Sequence, residues 1–181
     1  MASSISACAA WSMASIAVAA SPQAGALALQ QAMQADATVV ALGEDLGRGG
    51  VFGQYRGLQQ QFGAERVIDT PISEANIMGA AVGMALAGLR PVVEMRVIDF
   101  ALCAMDEIVN QAAKNRYMFG GQGRVPLVAR LPIGIWSASA AQRGRLAQRQ
   151  LERGVDLAGF APELLVLHVD HGVTAGQRGL Q

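Results

Sequence analysis

The chain has 181 residues, of which 52% are apolar and 15% charged, which allows one domain with a sizeable core and excludes a disordered protein. Its 14 basic and 14 acidic residues balance, so no positive excess predicts binding to nucleic acid or to an anionic membrane. Cys8 and Cys103 are too far apart for a disulfide framework or a zinc-ligand spacing, so a reducing cytoplasm is the expected location. We expect Cys103 to be a small buried residue.

The first 22 residues, MASSISACAAWSMASIAVAASP, differ in composition from the rest of the chain. They are rich in Ala and Ser and end in small residues, as a signal peptide does. No Lys or Arg precedes the apolar part, however, and the stretch is too short and too interrupted to span a bilayer. We expect an unstructured or wrongly assigned leader over residues 1–22, with an export signal as the alternative, and one domain over residues 23–181.

Helices and strands alternate along the predicted domain. The predicted helices cover 24–36, 55–63, 73–87, 100–117 and 143–154. The predicted strands cover 38–42, 66–70, 90–95, 125–131 and 163–169. Ser73 is the expected N-cap of the third helix, and Gly88 is expected to end it. Because each strand is a nearly continuous apolar run between helices, the order predicts an α/β fold whose parallel sheet is covered on both faces.

Function in such a sheet is expected in the loops that follow the carboxyl ends of the strands. These loops contain Glu44 and Asp45, residues 69–74, residues 94–100 and residues 132–142. Among them, Glu74 is the strongest candidate for a functional residue, because it begins a helix made largely of Gly and Ala. A helix N-terminus favours a carboxylate, so the local pattern alone favours a helix-dipole acid over a catalytic residue.

Three other patterns are weaker candidates. The glycine-rich segment 47–53 lacks a Lys-Ser/Thr pair and the G-x-G-x-x-G spacing into a helix, so a flexible surface loop is at least as good an interpretation as a phosphate cradle. His168 and His171 lie at a strand end and face opposite ways, which favours a polar loop over a metal site. Residues 115–126 mix aromatic and basic side chains, and we interpret them as a helix end or a subunit contact rather than a nucleic-acid interface.

Four motifs occur together in a characteristic order: GED (43–45), DTPISE (69–74), GMALAGLRPVVE (83–94) and MDEIVNQAAK (105–114). With them, residues 24–142 resemble the beta subunit of thiamine-diphosphate-dependent 2-oxo acid dehydrogenases, the decarboxylating components of the pyruvate, branched-chain and acetoin dehydrogenase complexes. The segment RYMFGG, followed by VP, is most similar to acetoin-type members. The resemblance implies a transketolase-like pyrimidine-binding fold, in which the parallel sheet is doubly wound.

The resemblance also implies roles for particular residues in a cofactor site shared by two subunits. Glu74 would be the catalytic acid that hydrogen-bonds N1′ of the aminopyrimidine of thiamine diphosphate. Phe100 would pack on that ring, and Glu44 would form a wall of the same site. The backbone carbonyl of Leu127 would help to bind a structural potassium ion.

Partners follow from the same resemblance. An alpha subunit would hold magnesium and the diphosphate within a heterotetramer, and a lipoyl-bearing acyltransferase component would accept the acyl group after decarboxylation. Which 2-oxo acid is used, or whether acetoin is the substrate, is left open because part of that pocket belongs to the alpha subunit.

Some features depart from the family pattern. Arg143 stands where the family has a histidine near the reacting centre, residues 143–181 match only loosely, and the C-terminal domain of the family is expected to be absent. An alternative is therefore a truncated, inactive paralogue, or a pseudo-subunit that acts only as a binding module for an alpha subunit.

Overall fold

The computed structural model describes the backbone of residues 22–133 and 164–170, and the side chains of residues 25–132. The strands are β1 (Val39–Gly43), β2 (Val67–Asp69), β3 (Arg90–Glu94), β4 (Leu127–Ile133) and β5 (Leu164–Asp170). The α-helices are α1 (Pro22–Ala35), α2 (Leu58–Phe62), α3 (Glu74–Leu86) and α4 (Asn115–Met118). 3-10 helices cover Leu46–Arg48 and Ile98–Ala104, and a π-helix covers Glu107–Ala113.

The strands form one parallel sheet in the order β2-β1-β3-β4-β5. In the register, Gly43 of β1 lies beside Asp69 of β2 on one side and Glu94 of β3 on the other, and Glu94 lies beside Arg130 of β4. The chain passes from β1 to β2 on one side and returns to β3 on the other. The strand order therefore reverses between β1 and β3, and their carboxyl ends flank the crevice where open α/β sheets bind ligands.

Successive residues of the central strands point into two separate hydrophobic cores, because strand side chains alternate between the faces of a sheet. Leu42 and Val93 belong to the core formed with α3 and the helical segment after β3. Ala41 and Val92 belong to the core formed with α1 and α2. Both faces of the sheet are covered, which confirms the predicted α/β fold with a doubly wound parallel sheet.

The helix predicted over residues 100–117 is not a single α-helix. The segment is a 3-10 helix, then a π-helix, then the short α4. Its buried residues recur at intervals of three and then of four: Ile98, Ala101, Ala104, Ile108 and Ala112. A tighter and then a wider helical turn places each of these residues against the core. Cys103 falls between buried positions and is exposed, so the prediction of a buried Cys103 is wrong.

The ends of α3 agree only in part with the predicted capping. Ser73 occupies the N-cap position but makes no capping hydrogen bond, because its Oγ instead donates to the Pro71 carbonyl at 3.2 Å. Gly88 ends the helix as predicted, with φ of 95°, and the following Leu89 N–H donates to the Met84 carbonyl at 3.0 Å. This 6→1 hydrogen bond is the Schellman arrangement that glycine allows.

Several predictions fall outside the described residues. They are the leader apart from Pro22, the helix over residues 143–154, Arg143 and His171; the side chain of His168 is also outside. No helix in the described ranges is both long and apolar enough to cross a membrane.

Candidate functional site

The segments that carry Glu44, Glu74 and Phe100 meet at one edge of the sheet. Glu44 directly follows β1, Glu74 begins α3 just after β2, and Phe100 lies in the 3-10 helix after β3. Because these are three adjacent parallel strands, their carboxyl ends share one edge, on both sides of the point where the strand order reverses. Glu44 is buried, Glu74 is half-buried and the Phe100 side chain is 41% exposed.

Leu127 is not part of this group. It is the first residue of β4 and therefore lies toward the opposite, amino-terminal edge of the sheet. Its side chain is fully buried, and its backbone N–H donates to the Val125 carbonyl at 2.9 Å. The potassium site predicted at its carbonyl stays a prediction, separate from the other candidates.

An ion pair bridges the crevice between β1 and β3. Nη1 of Arg96, which follows β3, lies 3.4 Å from Oε2 of Glu44 and 3.9 Å from a carboxylate oxygen of Asp45. The backbone of Asp45 has φ of 57°, in the left-handed region, and this turns the chain sharply away from β1. The crevice thus contains two acids and one base, and the Arg96 side chain is 41% exposed.

Four buried side chains beneath this crevice were not identified from the sequence: Gln54, Tyr55, Glu94 and Arg130, here called the Glu94 cluster. Oε2 of Glu94 accepts hydrogen bonds from Arg130 Nη1 at 2.9 Å and from the Tyr55 hydroxyl at 2.8 Å. Oε1 of Glu94 accepts one from Gln54 Nε2 at 3.0 Å. The Arg130 guanidinium also lies 5.8 Å from the centroid of the Tyr55 ring, within the range of a cation–π contact.

Burial determines the electrostatics of the Glu94 cluster. Burial raises the pKa of Glu94, while the positive charge of Arg130 and the hydrogen bonds from Tyr55 and Gln54 act in the opposite direction. Burial also raises the pKa of Tyr55 well above its ordinary value, and the negative charge of Glu94 adds to this effect. Tyr55 therefore keeps its proton at neutral pH and donates it to Glu94 in a hydrogen bond.

The sequence carries a signal for two members of the Glu94 cluster. Two predicted apolar strands, 90–95 and 125–131, each contain a pair of small apolar residues followed by a charged one, Glu94 in VVE and Arg130 in LVAR, and these two charges have opposite signs. A buried charge requires a partner, so two such strands lying side by side predict an ion pair between Glu94 and Arg130. The partners from the loop, Gln54 and Tyr55, give no comparable signal.

The glycine-rich segment 47–53 does not present its backbone to a ligand. The Gly47 N–H donates to the Asp69 carboxylate at 2.8 Å. Further N–H groups donate to acceptors within the loop, those of Arg48, Gly49, Gly50, Phe52 and Gly53. A phosphate cradle needs such groups free and converging on an anion, so this loop is not one. These bonds and the Glu94 cluster tie the loop to the sheet, so the interpretation as a flexible surface loop is not supported either.

Unpaired polar atoms lie next to two of the predicted site residues. Oγ1 of Thr70 and Oδ1 of Asp99 are buried and have no hydrogen-bond partner in the described part of the chain. Thr70 lies in the loop that leads to Glu74, and Asp99 immediately precedes Phe100. Buried polar atoms are nearly always paired, so these two suit a polar ligand at this edge. With a half-buried carboxylate and a partly exposed aromatic ring, they fit a flat, polar heterocycle such as an aminopyrimidine.

Residues 22–133, in contrast, hold no cluster of three or more His, Cys, Asp or Glu side chains suited to a metal ion. The side chains of His168 and Asp170 and the whole of His171 lie outside the described residues, so the metal site considered there is not addressed by this finding.

Comparisons with known proteins agree with this geometry. Residues 18–151 match the family described as the transketolase, pyrimidine binding domain. The chain is 50% identical over 119 residues to the pyruvate dehydrogenase E1 component subunit beta of Rickettsia bellii. The matched region covers 65% of this chain and 37% of that protein. The chain is 43% identical over 131 residues to the acetoin:2,6-dichlorophenolindophenol oxidoreductase subunit beta of Bacillus subtilis, covering 65% and 38%. It is 46% identical over 109 residues to the 2-oxoisovalerate dehydrogenase subunit beta of Bacillus subtilis, covering 60% and 33%.

A solved structure described as a split gene transketolase, inactive beta4 tetramer, shares the fold with a TM-score of 0.53 and 18% identity, covering 82% of this chain and 50% of that one. The chain spans somewhat more than a third of the length of the Rickettsia bellii protein and of the acetoin-type relative. These similarities confirm the resemblance to the beta subunits and the predicted fold. The chain belongs to the transketolase pyrimidine-binding domain family.

Proposed function

We propose that this chain is the pyrimidine-holding part of a thiamine-diphosphate-dependent 2-oxo acid dehydrogenase beta subunit, of the pyruvate or acetoin type. One observation carries the proposal. Glu74 and a buried oxygen of Thr70 follow β2, Phe100 and a buried oxygen of Asp99 follow β3, and both oxygens are unpaired in the described part of the chain. These two strands lie on either side of β1, at the edge where such sheets bind ligands. The names of the relatives, which are beta subunits of pyruvate and acetoin enzymes, point the same way.

Each site residue would then have a defined task. When bound, thiamine diphosphate supplies an electron sink for breaking the bond between the carbonyl carbon and the carboxylate of a 2-oxo acid. The Glu74 carboxyl group would hold or move a proton at its Oε atom, toward N1′ of the aminopyrimidine. Phe100 would orient the ring by stacking, and Glu44 would form the wall of the site on the β1 side.

An alpha subunit is the proposed partner, and it would hold magnesium and the diphosphate in a heterotetramer. Support comes from large apolar side chains at the surface of α4 and just after it, where Tyr117, Met118 and Phe119 are 64–69% exposed. Exposed apolar groups of this kind suit a subunit contact. A lipoyl-bearing acyltransferase as acyl acceptor, potassium at Leu127 and a cytoplasmic location complete the proposal.

Arg143 supports a second candidate function. In the family that this chain resembles, the position of Arg143 holds a histidine near the reacting centre. A guanidinium cannot exchange protons near neutral pH as an imidazole does. The second candidate is a subunit that binds an alpha subunit and the cofactor without catalysing decarboxylation.

The test is to co-express the chain with a cognate alpha subunit and to assay the purified complex with pyruvate, a branched-chain 2-oxo acid and acetoin. We expect turnover of one of them and a loss of orders of magnitude in Glu74→Gln, with complex formation retained. Glu65→Gln, which makes the same change at an exposed carboxylate before β2, is the matched control and should keep full activity. Full activity in Glu74→Gln would contradict the assignment, and a stable complex without turnover would favour the second candidate.

A further inference from the structure

The loop over residues 44–57 links β1 to α2 and forms one side of the crevice. Its far end is attached to β3, because Gln54 and Tyr55 supply two of the three hydrogen bonds that Glu94 accepts. We propose that Glu94 is a positioning residue that, with Arg130, fixes this loop and thereby holds Glu44 in place for cofactor binding. This inference rests on the function proposed above and gives that site a second layer that contacts no ligand itself.

The near end of the loop depends on the same strand. Gly43, next to Glu44, lies beside Glu94 in the sheet, and a Cβ atom at Gly43 would lie 2.6 Å from the Glu94 carbonyl oxygen. The two strand ends therefore approach each other as closely as glycine allows. Two residues beyond Glu94, Arg96 reaches the Glu44 carboxylate at 3.4 Å. The end of β3 thus contacts the loop at its beginning through Arg96 and at its end through Glu94.

Within the loop, packing links these two ends. The Tyr55 N–H donates to the Gly49 carbonyl at 2.8 Å, and the Gly50 N–H donates to the Asp45 carbonyl at 2.9 Å. A Cβ atom at Gly50 would lie 2.8 Å from Cδ2 of the Tyr55 ring. A displaced Tyr55 ring would therefore shift the turn at residues 45–50, and with it the segment that begins at Glu44.

Arg130 makes this arrangement possible for a buried carboxylate. Its guanidinium is 2.9 Å from Glu94 and balances the charge, which leaves the remaining lone pairs of Glu94 to the neutral donors Tyr55 and Gln54. Hydrogen bonds to an ionised, buried acceptor are stronger than those between neutral groups. The loop is therefore fixed by charge-assisted bonds rather than by apolar contact alone.

The first arm of the test measures hydrogen exchange in the full chain. Tyr55→Phe removes one hydroxyl and keeps the ring, and we expect the amides of residues 46–56 to exchange about tenfold faster, with β1 and β3 unchanged. Gln54→Met removes the other loop donor at similar length and should act in the same way. Gln60→Met, the same change as Gln54→Met at an exposed glutamine of α2, should leave the loop unaffected.

The second arm measures the Kd of thiamine diphosphate, with magnesium, for the complex with an alpha subunit. We expect Tyr55→Phe and Gln54→Met to raise this Kd about fivefold or more, while Gln60→Met leaves it unchanged. A role confined to overall stability would speed exchange throughout the chain and leave the Kd of the folded complex unchanged, and that result would overturn the inference. Unaltered exchange in the loop would overturn it as well. Should the wild-type complex bind no thiamine diphosphate, the proposed function fails, and the exchange result alone decides whether Glu94 fixes the loop.

Discussion

The Glu94 cluster and the edge that carries Glu74 and Phe100 lie close together in the sheet, yet they differ in hydrogen bonding. Most polar groups of the cluster have partners within the protein, whereas two at the edge do not in the described part of the chain. In the cluster, the Glu94 carboxylate accepts three hydrogen bonds and faces a guanidinium, although Nη2 of Arg130 lacks a partner within the described residues. At the edge, Glu74 is half-buried, the Phe100 ring is 41% exposed, and oxygens of Thr70 and Asp99 are unpaired in the described part of the chain.

This difference separates groups that serve the fold from groups that suit a ligand. A buried charge that only holds the chain together is paired within the protein, because an unpaired one costs several kcal/mol, on the order of 3–5 when a partner is removed. A binding edge leaves donors, acceptors and an aromatic surface available instead. The predictions that follow test this contrast by removing one group at a time from each region.

The largest effect is expected from Arg130→Met. This change leaves the Glu94 carboxylate buried without its counter-charge, and we expect the free energy of unfolding to fall by about 3–5 kcal/mol. Adding Glu94→Gln removes the unpaired charge, keeps an amide that can bond the buried Tyr55 hydroxyl and Gln54 side chain, and should restore part of that loss. Urea unfolding of the wild type and of the single and double variants measures both steps, and a double variant as unstable as the single one would show that the ion pair is not the cause.

The cost of Arg130→Met should also depend on pH. Burial already raises the pKa of Glu94 in the folded chain, and the loss of Arg130 removes a contribution that lowers it. A carboxyl group with a raised folded-state pKa is most favourable to folding below its unfolded pKa of about 4.5, and this advantage is lost as the pH rises through the folded-state value. We therefore expect the deficit of the variant to be smaller at pH 4 than at pH 7.5 in paired urea titrations. A deficit independent of pH would argue against Glu94 as its source.

Glu74→Gln should have a much smaller effect on stability. Glu74 is only half-buried and no hydrogen bond or ion pair of its side chain holds the fold in the described residues, so we expect a change within about 0.5 kcal/mol in the same urea assay. A loss approaching that of Arg130→Met would mean that Glu74 is a structural residue, and the contrast between the two regions would fail.

Ser73→Ala should have the smallest effect. An N-cap serine that bonds the helix contributes about 1 kcal/mol, but the Ser73 hydroxyl bonds the Pro71 carbonyl instead. We therefore expect a loss below about 0.5 kcal/mol in thermal or urea unfolding. A full capping loss would show that Ser73 bonds the first turn of α3 in solution.

The fold was predictable from the sequence because its signals are local. Each strand is an apolar run with clear ends, and Gly88 ends α3 as expected. The segment over residues 100–117 was predicted as one α-helix because its apolar spacing averages close to that of an α-helix. The separate intervals of three and four become visible only when the core that they contact is known.

The candidate site was predictable only in part. Glu44, Glu74 and Phe100 could be placed at one edge, because parallel strands bring their carboxyl ends together. The Glu94 cluster depends on register, which puts Glu94 beside Arg130, and on the path of a loop that returns Tyr55 to the sheet. Neither the register nor the loop path follows from local pattern, because both are set by contacts between residues distant in sequence.

The central claim is that this chain supplies the pyrimidine side of a thiamine diphosphate site. Its most direct test is a calorimetric titration of thiamine diphosphate and magnesium into the complex with an alpha subunit, for the wild type and for Glu74→Ala. We predict saturable binding by the wild type and a Kd raised at least about tenfold in the variant, as expected when a hydrogen bond to a charged group is lost. Absence of binding by the wild-type complex, or equal binding by the variant, would contradict the claim.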